Sequence, residues 1–387
     1  MTGGERLAGR AFAVALTYGA ASLVIFVVVL LLKRVAGPEL LREALGTIFI
    51  TTLAAGLEPA TARAAALAAP VEAIPVRALL VASALKAIVA APVLALVWRF
   101  TDRAAPWSLL AWTPAVCLAG FWATDLRVLL DLKGRHAAAI WLKQGSLAGG
   151  LALFGALALA RLPLWLALGA ATLARIALAG WVAGALASGG GPEGPMARLL
   201  ADRRWRDLAA VSVIAAAGGS ADRILALRFL PPPVTASYVI LFEVLSKFWF
   251  LPYVLAPVIF ARRAAGAGGA AVSRGAWRLT ALAGVAFVGA IVLVEGLAPG
   301  LVARLLGPNF GAWTVVFAAA VAVNALTQLR VADLQGIGET RRATLATLAG
   351  AIVSTLVFLF CVQRWGARGL LGAWLVKAVF ELGVCFL

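Results

Sequence analysis

Histidine is nearly missing from this sequence: His136 is the single example in 387 residues. Cysteine occurs three times, at Cys117, Cys361 and Cys385, each time inside an apolar run. No C-x-x-C or H-x-x-x-H spacing is present, so no zinc or other metal site is expected and the thiols read as packed side chains. Charge is scarce as well. Only 13% of residues are charged, against about 25% in a soluble domain. Acids are the scarcer sign, 17 against 34 Lys and Arg, for a net charge of +17. A G-x-x-x-x-G-K-[ST] loop is missing, which excludes that kind of ATP site on this chain. Gly189 to Gly194 matches G-x-G-x-x-G by letters, but it follows an apolar helix rather than a strand and contains proline, so it reads as a linker. Serine and histidine show no catalytic arrangement. No catalytic residue and no cofactor are expected, and the chain is not read as an enzyme.

What is abundant is apolar. Hydrophobic residues make up 63% of the chain and the mean hydropathy is +0.99. A spanning helix needs about 20 apolar residues, so roughly twelve can be built. This excludes a soluble enzyme, a disordered chain and a nucleic-acid-binding domain. The basic excess is read as membrane orientation and attraction to anionic lipid, with no nucleic acid as partner. The pattern predicts an all-α integral membrane protein with helices over about 11–32, 40–69, 76–98, 107–132, 137–160 and 162–187. After a polar stretch they continue over about 207–230, 235–260, 277–297, 312–337, 342–362 and 370–387. The first of these is too long for a signal-peptide core and is expected to remain uncleaved. The division is an N-terminal six-helix lobe at 1–187, a linker at 188–206 and a C-terminal six-helix lobe at 207–387. Trp98, Trp107, Trp141, Trp165 and Trp313 lie near predicted helix ends, where interfacial anchors belong.

The two halves resemble each other. Arg34 to Pro38 after the first helix and Arg228 to Pro232 after the seventh are offset by 194 residues. Pro59 in helix 2 and Pro252 in helix 8 sit at nearly the same offset. A proline breaks the helical ladder, so both are candidate hinges of a repeated transporter. Loop charge sets orientation: 17 Lys and Arg lie on the side of the termini and 10 on the other. Both termini are therefore expected in the cytoplasm.

Seven basic residues fall inside predicted helices: Lys86, Arg127, Arg175, Arg223, Lys247, Arg330 and Lys377. A charge at bilayer depth faces a partner or a cavity. Four have an acid one turn away on the same face: Arg127 with Asp131, Lys247 with Glu243, Arg330 with Asp333 and Lys377 with Glu381. Arg223 directly follows Asp222, and helical neighbours point apart, so that pair is expected to be weak. Lys86 and Arg175 have no acid within a turn. Each needs a carboxylate from another helix, a water or an anionic substrate.

Several segments together resemble one family. Gly56 to Arg63 (GLEPATAR) is similar to the G-L-x-x-A-x-x-R pattern of polysaccharide and O-antigen flippases. Ser220 to Leu230 with Ala236 to Tyr238, Leu305 to Trp313, Leu334 to Arg341 and Trp365 to Ala373 resemble their helix 7 and later loops. The chain thus resembles the oligosaccharide flippases of the multidrug/oligosaccharidyl-lipid/polysaccharide exporter superfamily. That resemblance implies a MATE-like transporter, two six-helix lobes forming a V around a cavity in the bacterial inner membrane. It implies alternating-access flipping of an undecaprenyl-diphosphate-linked glycan, with glycan-assembly proteins as further partners. Arg63, Lys86, Arg175 and Arg223 are then the expected substrate-binding cations. The alternatives are a cation-coupled multidrug exporter, which wants unpaired intramembrane acids, and a non-transporting scaffold of a glycan-assembly complex.

Overall fold

A computed structural model describes residues 23–57, 61–62, 74–102, 105–133, 135–187, 218–264, 269–299, 310–337 and 339–386. Everything regular in these residues is helical. Among the described residues, eight helices are long and apolar enough to cross a membrane. The chain divides into two compact units, Met1–Ala216 and Ala217–Leu387.

In the first unit the helices are α1 (23–35), α2 (Pro38–Gly56), α3 (Val76–Thr101), α4 (Thr113–Leu132), α5 and α6 (Leu164–Ala187). A short turn, Trp107–Leu110, precedes α4. α5 is built from His136–Ile140, a π-helical turn at Trp141–Gly145 and Ser146–Leu159. Gly145 fits that wide turn because a Cβ there would lie 2.7 Å from the Trp141 ring. α4 packs on α2, α3 and α6 and so forms the middle of the unit. Where α4 crosses α2, a Cβ on Gly120 would sit 2.6 Å from the Ala54 carbonyl oxygen, so only glycine allows that approach. α2 ends at Gly56 and Leu57 is extended, which is the backbone favoured ahead of a break. Pro59, the expected cause, lies outside the described residues.

In the second unit the helices are α7 (Ala221–Phe229), α8, α9 (Gly269–Leu297), α10 (Trp313–Gly336), α11 (340–365) and α12 (367–384). α8 consists of Pro232–Leu245, a 3₁₀ turn at Ser246–Trp249 and Phe250–Ala264. Pro252 explains the tight turn. It has no N–H for the carbonyl four residues back, and its ring crowds that carbonyl at Phe248. α11 and α12 are continuous except at Gly366, whose φ of 60° and ψ of −137° is closed to residues with a Cβ. α10 packs on α8, α9 and α11–α12 and forms the middle of the second unit.

The core of the second unit is aromatic. Trp374 is 1% exposed, and the rings of Phe242, Trp249, Phe317 and Phe358 surround it at 5.6–5.9 Å. α9 is the opposite case. Leu282, Val285 and Leu297 are each over 70% exposed; with lipid as the solvent, these are the contacts an apolar face needs.

Two expectations change. α9 begins at Gly269, two turns before the expected start at about 277, so Arg274 is helical. Alanine and arginine are strong helix formers and continue the helix past the hydrocarbon. Trp98 is fully buried rather than an interfacial anchor, with its indole nitrogen 3.3 Å from where a Gly46 Cβ would lie. Trp107, Trp141, Trp165 and Trp313 are exposed as expected.

Gly366→Ala should lower stability by about 1–3 kcal/mol, because alanine resists that backbone. Gly149→Ala, on an open helical face, should change it by less than about 0.5 kcal/mol. Thermal unfolding of the detergent-purified variants reads both. Equal midpoints would show that the α11–α12 break does not depend on the glycine.

Candidate functional site

Three buried polar groups in the first unit meet around Asp125. This residue of α4 is fully buried. Its Oδ1 accepts a 3.0 Å hydrogen bond from the Ala62 N–H, and its Oδ2 accepts one from the Ser83 hydroxyl of α3. The Thr61 hydroxyl also hydrogen-bonds the carboxylate and accepts a 2.8 Å bond from Lys86 Nζ. Lys86 is half-buried and interacts electrostatically with Asp125. Of the partners left open for Lys86, a carboxylate from another helix, a water or an anionic substrate, the carboxylate is present. Asp125 itself has no base on its own helix face, because Arg127 is two residues away and points elsewhere. An acid without a local base stands opposite a base without a local acid, and that was the sequence signal for this cluster. Thr61 and Ala62 belong to the GLEPATAR segment. Arg63, the next residue, lies outside the described residues.

Arg175 of α6 is different. It is 4% exposed, and none of its three guanidinium nitrogens has a hydrogen-bond partner. No carboxylate among the described residues reaches it. An unmet guanidinium at bilayer depth costs about 3 kcal/mol or more. The space beside it is small, with room for about one water-sized guest at roughly 10 Å³.

In the second unit, Asp222 of α7 is fully buried. Its Oδ2 accepts from the Tyr238 hydroxyl at 2.5 Å and from Trp374 Nε1 at 3.0 Å. Its Oδ1 has no hydrogen-bond partner and lies 3.9 Å from Arg223 Nε. Sequence neighbours thus make the weak ion pair expected of them. The Arg223 guanidinium instead donates to the Gly219 carbonyl and Ser220 hydroxyl and lies 4.5 Å from the centre of the Phe242 ring. Tyr238 and Trp374 are the partners that spacing could not supply.

The local pairs form. Lys247 Nζ is 3.2 Å from Glu243 and Lys377 Nζ is 2.7 Å from Glu381. Arg330 pairs with Asp333 at 2.8 Å, and Arg263 of α8 makes a second bridge to the same carboxylate. The Asp131 side chain, expected opposite Arg127, lies outside the described residues. Glu381 also accepts from Asn324, which in turn accepts from Gln328. Gly350 leaves room for it, since a Cβ there would lie 2.5 Å from Glu381 Cγ. Among the described residues, no three His, Cys, Asp or Glu gather into a metal-holding group.

No family model and no curated protein matches the sequence. Solved structures do. An inward-facing multidrug resistance MATE family transporter of the MOP superfamily superposes with a TM-score of 0.64 at 15% identity, over 96% of this chain and 92% of that one. The chain has the fold of a MOP-superfamily transporter. The same fold recurs in a MOP-superfamily transporter from Pyrococcus furiosus, described as having a binding pocket of reversed polarity, at 0.62 and 13% identity, over 97% and 93%. It recurs in the inward-closed lipid II flippase MurJ at 0.60 and 10% identity, over 97% and 85%. With this MATE-like fold and eight helices among the described residues long and apolar enough to cross a membrane, the chain is an all-helical multi-pass membrane protein. The resemblance of its segments to flippases is finer than these likenesses resolve.

Lys86→Gln should lower the amount of folded protein in the membrane, because the fully buried Asp125 carboxylate would lose its nearby cation. Adding Asp125→Asn should restore much of it, since the neutral amide no longer needs a cation. In-gel fluorescence of a tagged chain measures both. A double variant no more abundant than the single one would show that Asp125 is not the stabilising partner of Lys86.

Proposed function

We propose that this protein flips a lipid-diphosphate-linked oligosaccharide across the bacterial inner membrane by alternating access. The observation that carries this reading is the sign of the intramembrane charge, set in a MOP-superfamily fold. Among the described residues, Asp125, Glu243, Asp333 and Glu381 of the spans each meet a cation or a hydrogen-bond donor, Glu295 of α9 keeps one buried oxygen without a partner, and Lys and Arg outnumber Asp and Glu in the candidate spans. A diphosphate is attracted by such side chains, and an organic cation is repelled. Lys86 donates to Thr61 and would place a positive charge beside the GLEPATAR segment. Arg63 follows the Thr61–Ala62 pair in sequence and would add a second charge. Arg223 is the corresponding cation of the second unit. Arg175 is set apart from this group by its burial. Pro252, with its 3₁₀ turn, would be a bending point of the second unit, and Pro59 its counterpart in the first.

A cation-coupled drug exporter is the second reading. The multidrug MATE likeness and the unpartnered Oδ1 of buried Asp222 favour it.

Reconstitution separates them. Proteoliposomes should expose a labelled undecaprenyl-diphosphate oligosaccharide to an external glycosidase, and should not extrude ethidium. Arg223→Gln should slow flipping by about tenfold, the worth of one charge-assisted phosphate contact, with Arg223→Lys keeping part of the rate. Pro252→Ala should slow it at unchanged abundance. Ethidium extrusion without flipping would overturn the proposal in favour of the exporter, and neither activity would leave the scaffold.

The proposed orientation has its own test. Reporter fusions at Gly191 and Gly268 should read cytoplasmic, and fusions at Pro38 and Pro308 periplasmic. A periplasmic reading at Gly191 would break the six-plus-six division.

A further inference from the structure

We infer that Arg175 holds a small monovalent anion of the halide class inside the first unit. The guanidinium is a permanent cation with five donors in a rigid fork. Here all three nitrogens are buried and without an acceptor. Among the described acids of the first unit, Asp125 is held by Lys86, Ser83 and Ala62, and Asp102 lies 3.2 Å from Arg42.

The surroundings are shaped around the side chain. Its stem crosses α5 at Gly150, where a Cβ would lie 2.6 Å from Arg175 Cδ. Any other residue at 150 would displace the stem. The glycine lets the arginine reach the junction of α2, α5 and α6. Thr51, Phe154 and Thr172 line the small space found there. Thr172 precedes Arg175 by three residues on the same helix face and brings a hydroxyl to the same guest.

Size and charge select the guest. The narrow space beside the guanidinium favours a monatomic anion over the larger phosphate and diphosphate groups. A water fits but leaves the charge unbalanced, and in a medium of low dielectric that imbalance is the larger part of the cost. Chloride is larger than water and needs a small outward shift of the lining side chains, but it is monatomic and supplies the missing charge. Bound there, it would join three helices of one unit. This inference does not rest on the transported substrate.

The test is ion-specific stability of the purified chain in detergent. Sodium chloride is titrated against sodium gluconate at constant ionic strength while thermal unfolding is followed. The midpoint should rise with chloride by about 3 °C or more at saturation. Bromide should replace chloride, and gluconate should not. Arg175→Gln should abolish the chloride dependence, and Thr172→Val, which keeps volume and removes the hydroxyl, should weaken it severalfold. Equal wild-type midpoints in chloride and gluconate overturn the inference whether or not the Gln variant accumulates. A chloride dependence that is unchanged in Thr172→Val and in Arg175→Gln overturns the placement at Arg175. Chloride NMR line broadening by the wild-type protein, above the detergent blank, gives a second reading, and its absence is equally decisive against the site.

Discussion

A charge inside hydrocarbon has to be met by something other than bulk water, and the interior of this protein is arranged around that requirement. Lys86 and Asp125 come from different helices and are brought together with two hydroxyls and a backbone amide. Glu381 lies against Lys377 in a gap that exists because residue 350 is glycine. Asp222 is held by a tyrosine and a tryptophan at the centre of the aromatic core. Each cluster links two or more helices, so polar satisfaction and helix packing are the same problem here. Hydrophobic burial alone discriminates poorly among helix arrangements, because lipid is as apolar as leucine.

Breaks in the helices follow a second constraint. Where backbone hydrogen bonds cannot be replaced by water, a helix is interrupted only where residue chemistry accommodates it. Pro252 tightens the preceding turn of α8 to 3₁₀, Gly366 takes a backbone closed to other residues, and Gly145 admits the Trp141 ring into a π turn. By contrast, Pro92 lies inside α3 without ending it. Proline marks a weak point in the ladder, and neighbouring packing decides whether the helix bends there.

Fold and charge carry different parts of the functional argument. The MOP-superfamily fold is shared with multidrug transporters and with a lipid II flippase, so architecture does not choose a substrate. The proposed anionic, lipid-linked cargo rests instead on the cations within the described spans. Arg175 shows that these cations are not all of one kind. One guanidinium buried against a single-water space has different chemistry from a half-buried lysine beside a flippase-like segment.

Composition and hydropathy determined that the chain is a multi-helix membrane protein, and period and spacing located most helices to within a turn or two. The i, i+3 and i, i+4 pairs were also legible, because helix geometry alone brings Glu243 to Lys247 and Glu381 to Lys377. What tertiary structure decided are the contacts between helices distant in sequence: Asp125 with Ser83 and Thr61, Asp222 with Trp374, and Arg263 with Asp333. The same holds for the burial of Trp98, which has an interfacial position in sequence and a glycine-backed slot in space. The physical reason is range. Helical period fixes which residues of one segment share a face, whereas which faces meet depends on crossings set by small residues such as Gly120 and Gly150, and on which charges can be brought opposite one another.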